Sequence, residues 1–175
     1  QLTQNLVVTR LAYNVLNESS LGLIATQGNP GSELRNSLLG LDFRYLNTRT
    51  SFGKPISGEV WYQESDTQGI DTDQAAYGLS LTSPSNSGLR GGLGSKILEE
   101  NFNPALGYTN RKGIQDTTLE IGYTWRFSNP IIRSYFAGIS AQEIYYLNGG
   151  LQSKVQTLIP LDVENNQRDR LTLSL

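Results

Sequence analysis

The 175 residues carry 14 Lys and Arg against 16 Asp and Glu, a formal net charge of −2, and include neither Cys nor His. The scattered cations form no run that could follow a phosphate backbone, which excludes nucleic acid as a partner, and without Cys or His there is no disulfide framework, thiolate metal site or His-dependent triad. Hydrophobic residues at 37% and 18 Gly leave less apolar material than a thick soluble core employs, although the length suits one domain spanning 1–175.

No apolar run approaches the roughly 18 residues of a transmembrane helix, an absence that leaves a transmembrane barrel open. Gln1 to Arg10 lacks the basic start and apolar block of a signal peptide. The chain is expected to open inside a strand at Gln4 to Leu16 and to close inside another at Arg170 to Leu175, as part of a longer protein with any export signal upstream.

Along Asn5 to Leu16, Val7, Thr9, Leu11, Tyr13 and Val15 alternate with Arg10 and Asn14, the period of a strand with one dry and one wet face. A polar turn at Asn17 to Ser20 leads to a strand over Leu21 to Gln27, which ends at the loop Gly28-Asn-Pro-Gly31. Ser37 to Asn47 sets Leu39, Leu41, Phe43 and Tyr45 against Asp42 and Arg44. After Thr48 to Gly53, Pro55 to Glu64 places Ile56, Val60 and Tyr62 opposite Ser57, Glu59, Trp61 and Gln63, and Ser65 to Asp73 reads as a polar loop. Ala75, Tyr77, Leu79 and Leu81 form the next dry face, backed by the small residues Ala76, Gly78, Ser80 and Thr82. Ser83 to Gly88 turns the chain into Leu89 to Leu98, whose glycines predict a kink or bulge.

A long connection, Glu99 to Asp116, leads into the clearest strand, Thr117 to Phe127. Its dry face carries Leu119, Ile121, Tyr123, Trp125 and Phe127, its wet face Glu120 and Arg126. A tilted strand crossing a bilayer needs about 9–11 residues and gathers aromatics where hydrocarbon meets water; a long strand of a soluble sandwich shows the same alternation. Ser128-Asn-Pro130 returns the chain, and Ile131 to Tyr146 and Leu151 to Val163 flank the hairpin turn Leu147-Asn-Gly-Gly150.

The fold class expected is therefore all-β, an antiparallel up-and-down meander of about ten strands forming part of a transmembrane β-barrel. Connections alternate: short at Asn17 to Ser20, Ser83 to Gly88 and Ser128 to Pro130, long at Gly28 to Asn36, Ser65 to Gln74 and Glu99 to Asp116, the asymmetry of bacterial barrels. With both ends cut inside strands, the chain alone is expected to form an open sheet, completed by the remaining strands of a parent barrel. The alternative is a soluble β-sheet module that binds glycans or protein partners.

Val8-Thr-Arg-Leu-Ala-Tyr-Asn-Val15 running into Ser20-Leu-Gly-Leu-Ile-Ala-Thr26, then Leu39-Gly-Leu-Asp-Phe-Arg44, then Asn101-Phe-Asn-Pro-Ala-Leu-Gly-Tyr-Thr-Asn-Arg111, resemble in content and order a family of uncharacterised bacterial surface proteins. In that family a carbohydrate-binding-family-9-like domain precedes a C-terminal domain expected to be an outer-membrane β-barrel. The resemblance spans most of Val8 to Phe127, and the Phe-Asn-Pro segment is its most specific part. It implies a Gram-negative outer-membrane location, lipid as a partner, and anchoring or porin-like solute passage linked to carbohydrate through an upstream domain. It supplies no catalytic residue.

Among the residues themselves, Asp42, Glu59 and Glu120 on wet faces are the only plausible catalytic groups, since paired carboxylates can serve glycoside hydrolysis. Charge pairing inside a barrel explains them better: Arg10, Asp42, Arg44, Glu59, Glu120 and Arg126 are expected to line a lumen, Asp42 pairing with Arg44 and Glu120 with Arg126. Glu99 to Asn103 and Asp66 to Asp73 lack the spacing of a calcium loop, and no metal or other cofactor is implied. Trp61, an aromatic on a wet face, is a candidate for stacking on a sugar ring or for filling a lumen. Asn103 and Arg111 are the candidate binding residues of the Phe-Asn-Pro segment, where Asn103-Pro104 and Gly107 shape the backbone.

Overall fold

The structure, a computed structural model, describes residues 5–51 and 53–175. Ten strands follow one another: β1 (Val7–Val15), β2 (Ser19–Gln27), β3 (Asn36–Asn47), β4 (Ile56–Thr67), β5 (Ala75–Ser83), β6 (Gly88–Leu98), β7 (Ile114–Arg126), β8 (Ile132–Tyr146), β9 (Leu151–Asn165) and β10 (Arg170–Leu173). Each pairs with the next in a single sheet of order β1 to β10, antiparallel throughout. The sheet is open, with β1 and β10 as its edges. No helix occurs among the described residues.

The alternation in sequence becomes two faces because the register carries it from strand to strand. Leu41, Tyr62 and Tyr77 fall in one row, while Asp42, Trp61 and Gly78 fall in the next row on the opposite face. Leu39, Leu41, Tyr77, Leu79, Leu119 and Ile121 are exposed, Leu41 by 57% and Leu119 by 50%. Phe43, placed on the same dry face by its alternation and so expected outward in a barrel, is half-buried, flanked in register by Leu21 and Val60.

Aromatics gather at both ends of this apolar face. Tyr13, Tyr45, Tyr123, Trp125 and Tyr135 lie towards the end that holds the β1–β2 turn, with Trp125 4.5 Å from Tyr123 and 5.0 Å from Tyr135, ring centre to ring centre. Tyr62, Tyr77 and Tyr145 lie towards the other end, the first two stacked at 6.2 Å. Between these rims the described residues of the face carry no charge over β1 to β7. Towards the second rim the Tyr62 hydroxyl donates to Glu64 at 3.1 Å, and on β8 and β9 one ion pair, Lys154 with Glu143 at 2.8 Å, lies just inside Tyr145.

Several boundaries differ from those expected. β4 runs on through Ser65, Asp66 and Thr67, read above as loop, because β3 pairs with it as far as Asn36 opposite Thr67. Gln74 closes that end, its Oε1 accepting from the Thr67 N–H at 2.8 Å. β7 begins at Ile114 and so takes Asp116 out of the loop. The glycine-rich β6 has no bulge, its register with β5 and β7 being unbroken. Its glycines clear space instead: a Cβ on Gly92 would lie 2.9 Å from Thr82 Cγ2. The irregularities fall between β8 and β9, and the one between Phe136 and Gly138 lies opposite Pro160, which has no N–H to give to the ladder.

Connections 16–18, 84–87 and 127–131 share one end of the sheet, and 28–35, 68–74 and 99–113 the other, as expected. Two break the pattern: 48–55 is long at the short end, and 147–150 is a tight turn at the long end. In the latter, Gly149 and Gly150 take φ of 98° and 99°, a conformation that favours glycine. The expected strand start at Gln4 lies outside the described residues.

Candidate functional site

The polar face is built from cross-strand pairs, because side chains opposite one another in register are within reach of a salt bridge. Arg10 on β1 reaches Asp42 on β3 at 2.6 Å, across the bare backbone of Gly22 on β2. Arg44 pairs with Glu59 at 3.0 Å and stands 3.8 Å from Asp42. Further along, Arg90 meets Glu120 at 2.9 Å and lies 4.0 Å above the Phe136 ring, a cation–π contact. Lys96 pairs with Asp116 at 3.3 Å, and Arg170 Nε donates to Asp162 at 2.6 Å.

Small residues let these side chains lie flat on the sheet. Phe136 covers Gly122 and Gly138, and the Trp61 ring lies over Gly78, where an added Cβ would stand 3.0 Å from Cε2 and Cζ2. The run of small groups on this face is thus the floor on which larger side chains rest.

The connection 99–113 folds back over the same face. Glu99 Oε2 accepts from the Ala75 N–H at 2.7 Å, and Asn101 Nδ2 donates to the Thr72 carbonyl at 3.0 Å. Phe102 then turns inward and is only 3% exposed, clustered with Leu38 and Ala76 and packed by Ile24, Trp61 and Leu98. Next to it the Asn103 N–H donates to Ser65 Oγ at 2.9 Å, and Asn36 Nδ2 donates to the Asn103 carbonyl at 3.0 Å and to Thr67 Oγ1 at 2.8 Å. Pro104 to Thr109 continue across the sheet, enclosing with Val8, Ile24, Thr26, Trp61 and Gln63 a cavity of about 440 Å³.

Comparison with known protein families, with characterised proteins and with solved structures gives no match for this chain.

The residues singled out from sequence separate into two groups. Arg10, Asp42, Arg44, Glu59, Glu120 and Arg126 share the polar face by register. Glu120 pairs with Arg90 rather than with Arg126, which lies about 20 Å further along the same strand at about 3.3 Å per residue. Arg126 Nε donates instead to the Asn86 carbonyl at 2.8 Å, in the β5–β6 turn. Trp61 lines the cavity under the 99–113 connection, where Asn103 bonds through its backbone. Arg111 is exposed beyond the cavity, its carbonyl accepting from Thr109 Oγ1 at 2.9 Å. Each of Asp42, Glu59 and Glu120 has an arginine partner, and no group of three or more acidic side chains gathers among the described residues.

Sequence reasoning passed over Phe102, Asn36, Ser65, Arg90 and Asp116. Arg90 lay in a strand blurred by glycine, and Asp116 would have matched Glu120 in parity had β7 been started earlier.

Proposed function

We propose that this chain is a segment of a transmembrane β-barrel in the bacterial outer membrane, closed by the remaining strands of its parent barrel. One observation carries the reading: an exposed apolar face between two aromatic rims, uncharged over β1 to β7 and broken on β8 and β9 only by the mutually paired Glu143 and Lys154. From Tyr135 to Tyr145 on β8 the chain covers about 33 Å at about 3.3 Å per residue, and at a tilt of about 40° this is about 25 Å along the membrane normal, the height of a barrel's apolar band. Such a face left in water would be far larger than the apolar patches of soluble monomers. The polar face would then look into a lumen.

In this reading the barrel anchors the parent protein or passes a solute, with carbohydrate engaged through an upstream domain as the family resemblance implies. The arginine partners of Asp42, Glu59 and Glu120 favour an electrostatic role for these groups, and sugar hydrolysis by the folded protein would contradict it. The open sheet is the one observation favouring a soluble glycan- or protein-binding module, whose apolar face would need a second layer to cover it. Membrane fractionation of the full-length protein separates the two. Extraction only by detergent, with heat-modifiable gel mobility, supports the barrel, whereas a detergent-free soluble monomer overturns it.

A further inference from the structure

We infer that the cavity between the 99–113 connection and the polar face is a binding site for a neutral, polyhydroxylated ring, with Trp61 as its stacking platform. Its volume of about 440 Å³ lies within the roughly 300–1,000 Å³ of small-molecule sites. The roof is held from below by Phe102 and by the hydrogen bonds of Asn36 and Ser65 to Asn103, so the cavity is formed in advance of any ligand.

The chemistry of the lining selects the ligand class. Trp61 Nε1–H, the Gln63 carboxamide and the Thr26 hydroxyl line the cavity and have no hydrogen-bond partner among the described residues. All three are uncharged, and together they offer both donors and acceptors. Glu59, on the same wall, is already paired with Arg44 at 3.0 Å. A charged ligand would find no open counter-charge here, and a wholly apolar one would leave these polar groups unsatisfied. A ring with apolar C–H faces and hydroxyl edges satisfies both the indole and the groups around it. The site does not depend on what covers the apolar face, since every residue it uses belongs to the polar face or to the 99–113 connection.

The test is calorimetric titration of the full-length protein, in a detergent without a sugar headgroup, with maltotriose and with cellotriose, the signal being the heat that differs between the parent and the variants, so that sugar bound by an upstream domain, which no variant touches, cancels. Binding of either sugar is expected, weakened about tenfold or more by Trp61→Ala and several-fold by Gln63→Ala. Trp61→Phe keeps a flat ring over Gly78 and retains most of the affinity; Trp125→Phe, on the other face, leaves it unchanged. Because removing the indole uncovers Gly78, Gln63→Ala serves as the second readout, with an unchanged β-sheet circular dichroism spectrum and melting transition reporting an intact fold. Failure of both sugars to bind up to about 10 mM, equal affinity in the parent, Trp61→Ala and Gln63→Ala, or tighter binding of digalacturonate would each overturn the site. None of these outcomes turns on whether the protein partitions into membranes.

Discussion

Leu119 and Glu120 are neighbours on β7, yet they belong to surfaces with almost nothing in common. Around Leu119 the apolar face is a sheet of exposed aliphatic side chains with aromatic ends. Around Glu120 the other face is a lattice of cross-strand ion pairs over a glycine floor, with a compact apolar cluster, Leu38, Ala76 and Phe102, at the end the 99–113 connection covers. In a soluble β protein the burial runs the other way, with the apolar face packed and the charged face wet. Here, beyond the backbone ladder, the ion pairs and buried cluster that tie strands together lie mostly on the polar face, and the apolar face is left exposed.

The contrast is broken most severely from the polar side. Phe102→Ala empties the centre of the buried cluster, at a cost of about 3–5 kcal/mol where neighbours cannot close in. The 99–113 connection is then expected to lift, and trypsin to cut after Arg111 and Lys112 much faster than in the parent. Unchanged cleavage would mean that the hydrogen bonds to Asn103 hold the connection alone.

On the apolar side, Leu119→Arg is expected to cost about 2–4 kcal/mol near a bilayer midplane, whereas Glu120→Gln, leaving an amide of similar size in a wet setting, stays within about 0.5 kcal/mol. Folding of the full-length protein into lipid vesicles, read by heat-modifiable mobility, compares them. Equal loss in both variants would remove the two-faced account.

The smallest effect concerns the short-turn end. Glu18 accepts from the Thr48 N–H at 2.6 Å and the Thr48 hydroxyl at 2.7 Å, tying the β1–β2 turn to the β3–β4 connection. These bonds hold its carboxyl below the usual glutamate range. A depressed folded value contributes stability that is present above the unfolded value and lost as pH falls through the folded one, so Glu18→Gln should lessen the acid sensitivity of amide exchange at Thr48. An identical pH profile in the variant would disprove the tie.

The strands were legible because period-two alternation is local: Thr117 to Phe127 needs no knowledge of its neighbours to be read. Their ends were less so, since Ser65 and Asp116 belong to strands only through pairing partners far along the chain. The polar-face pairs followed the same limit. Glu120 looked along its own strand to Arg126, but the structure turns it sideways to Arg90, because six residues along a strand is a long way and one strand across is not. Trp61 stood out as an aromatic among wet-face residues, yet its place beneath the 99–113 connection depends on Phe102, whose inward turn leaves no mark in the local pattern.

The two tryptophans provide the most direct test, because Trp125 lies on the apolar face and Trp61 on the polar one. The full-length protein, Trp61→Phe and Trp125→Phe are each folded into vesicles whose acyl chains carry bromine, a short-range quencher of indole fluorescence, and the difference between parent and variant isolates the signal of each indole. The account predicts strong quenching of Trp125 and little of Trp61. Equal quenching of the two, or protection of Trp125, would contradict a sheet that turns its apolar face to lipid.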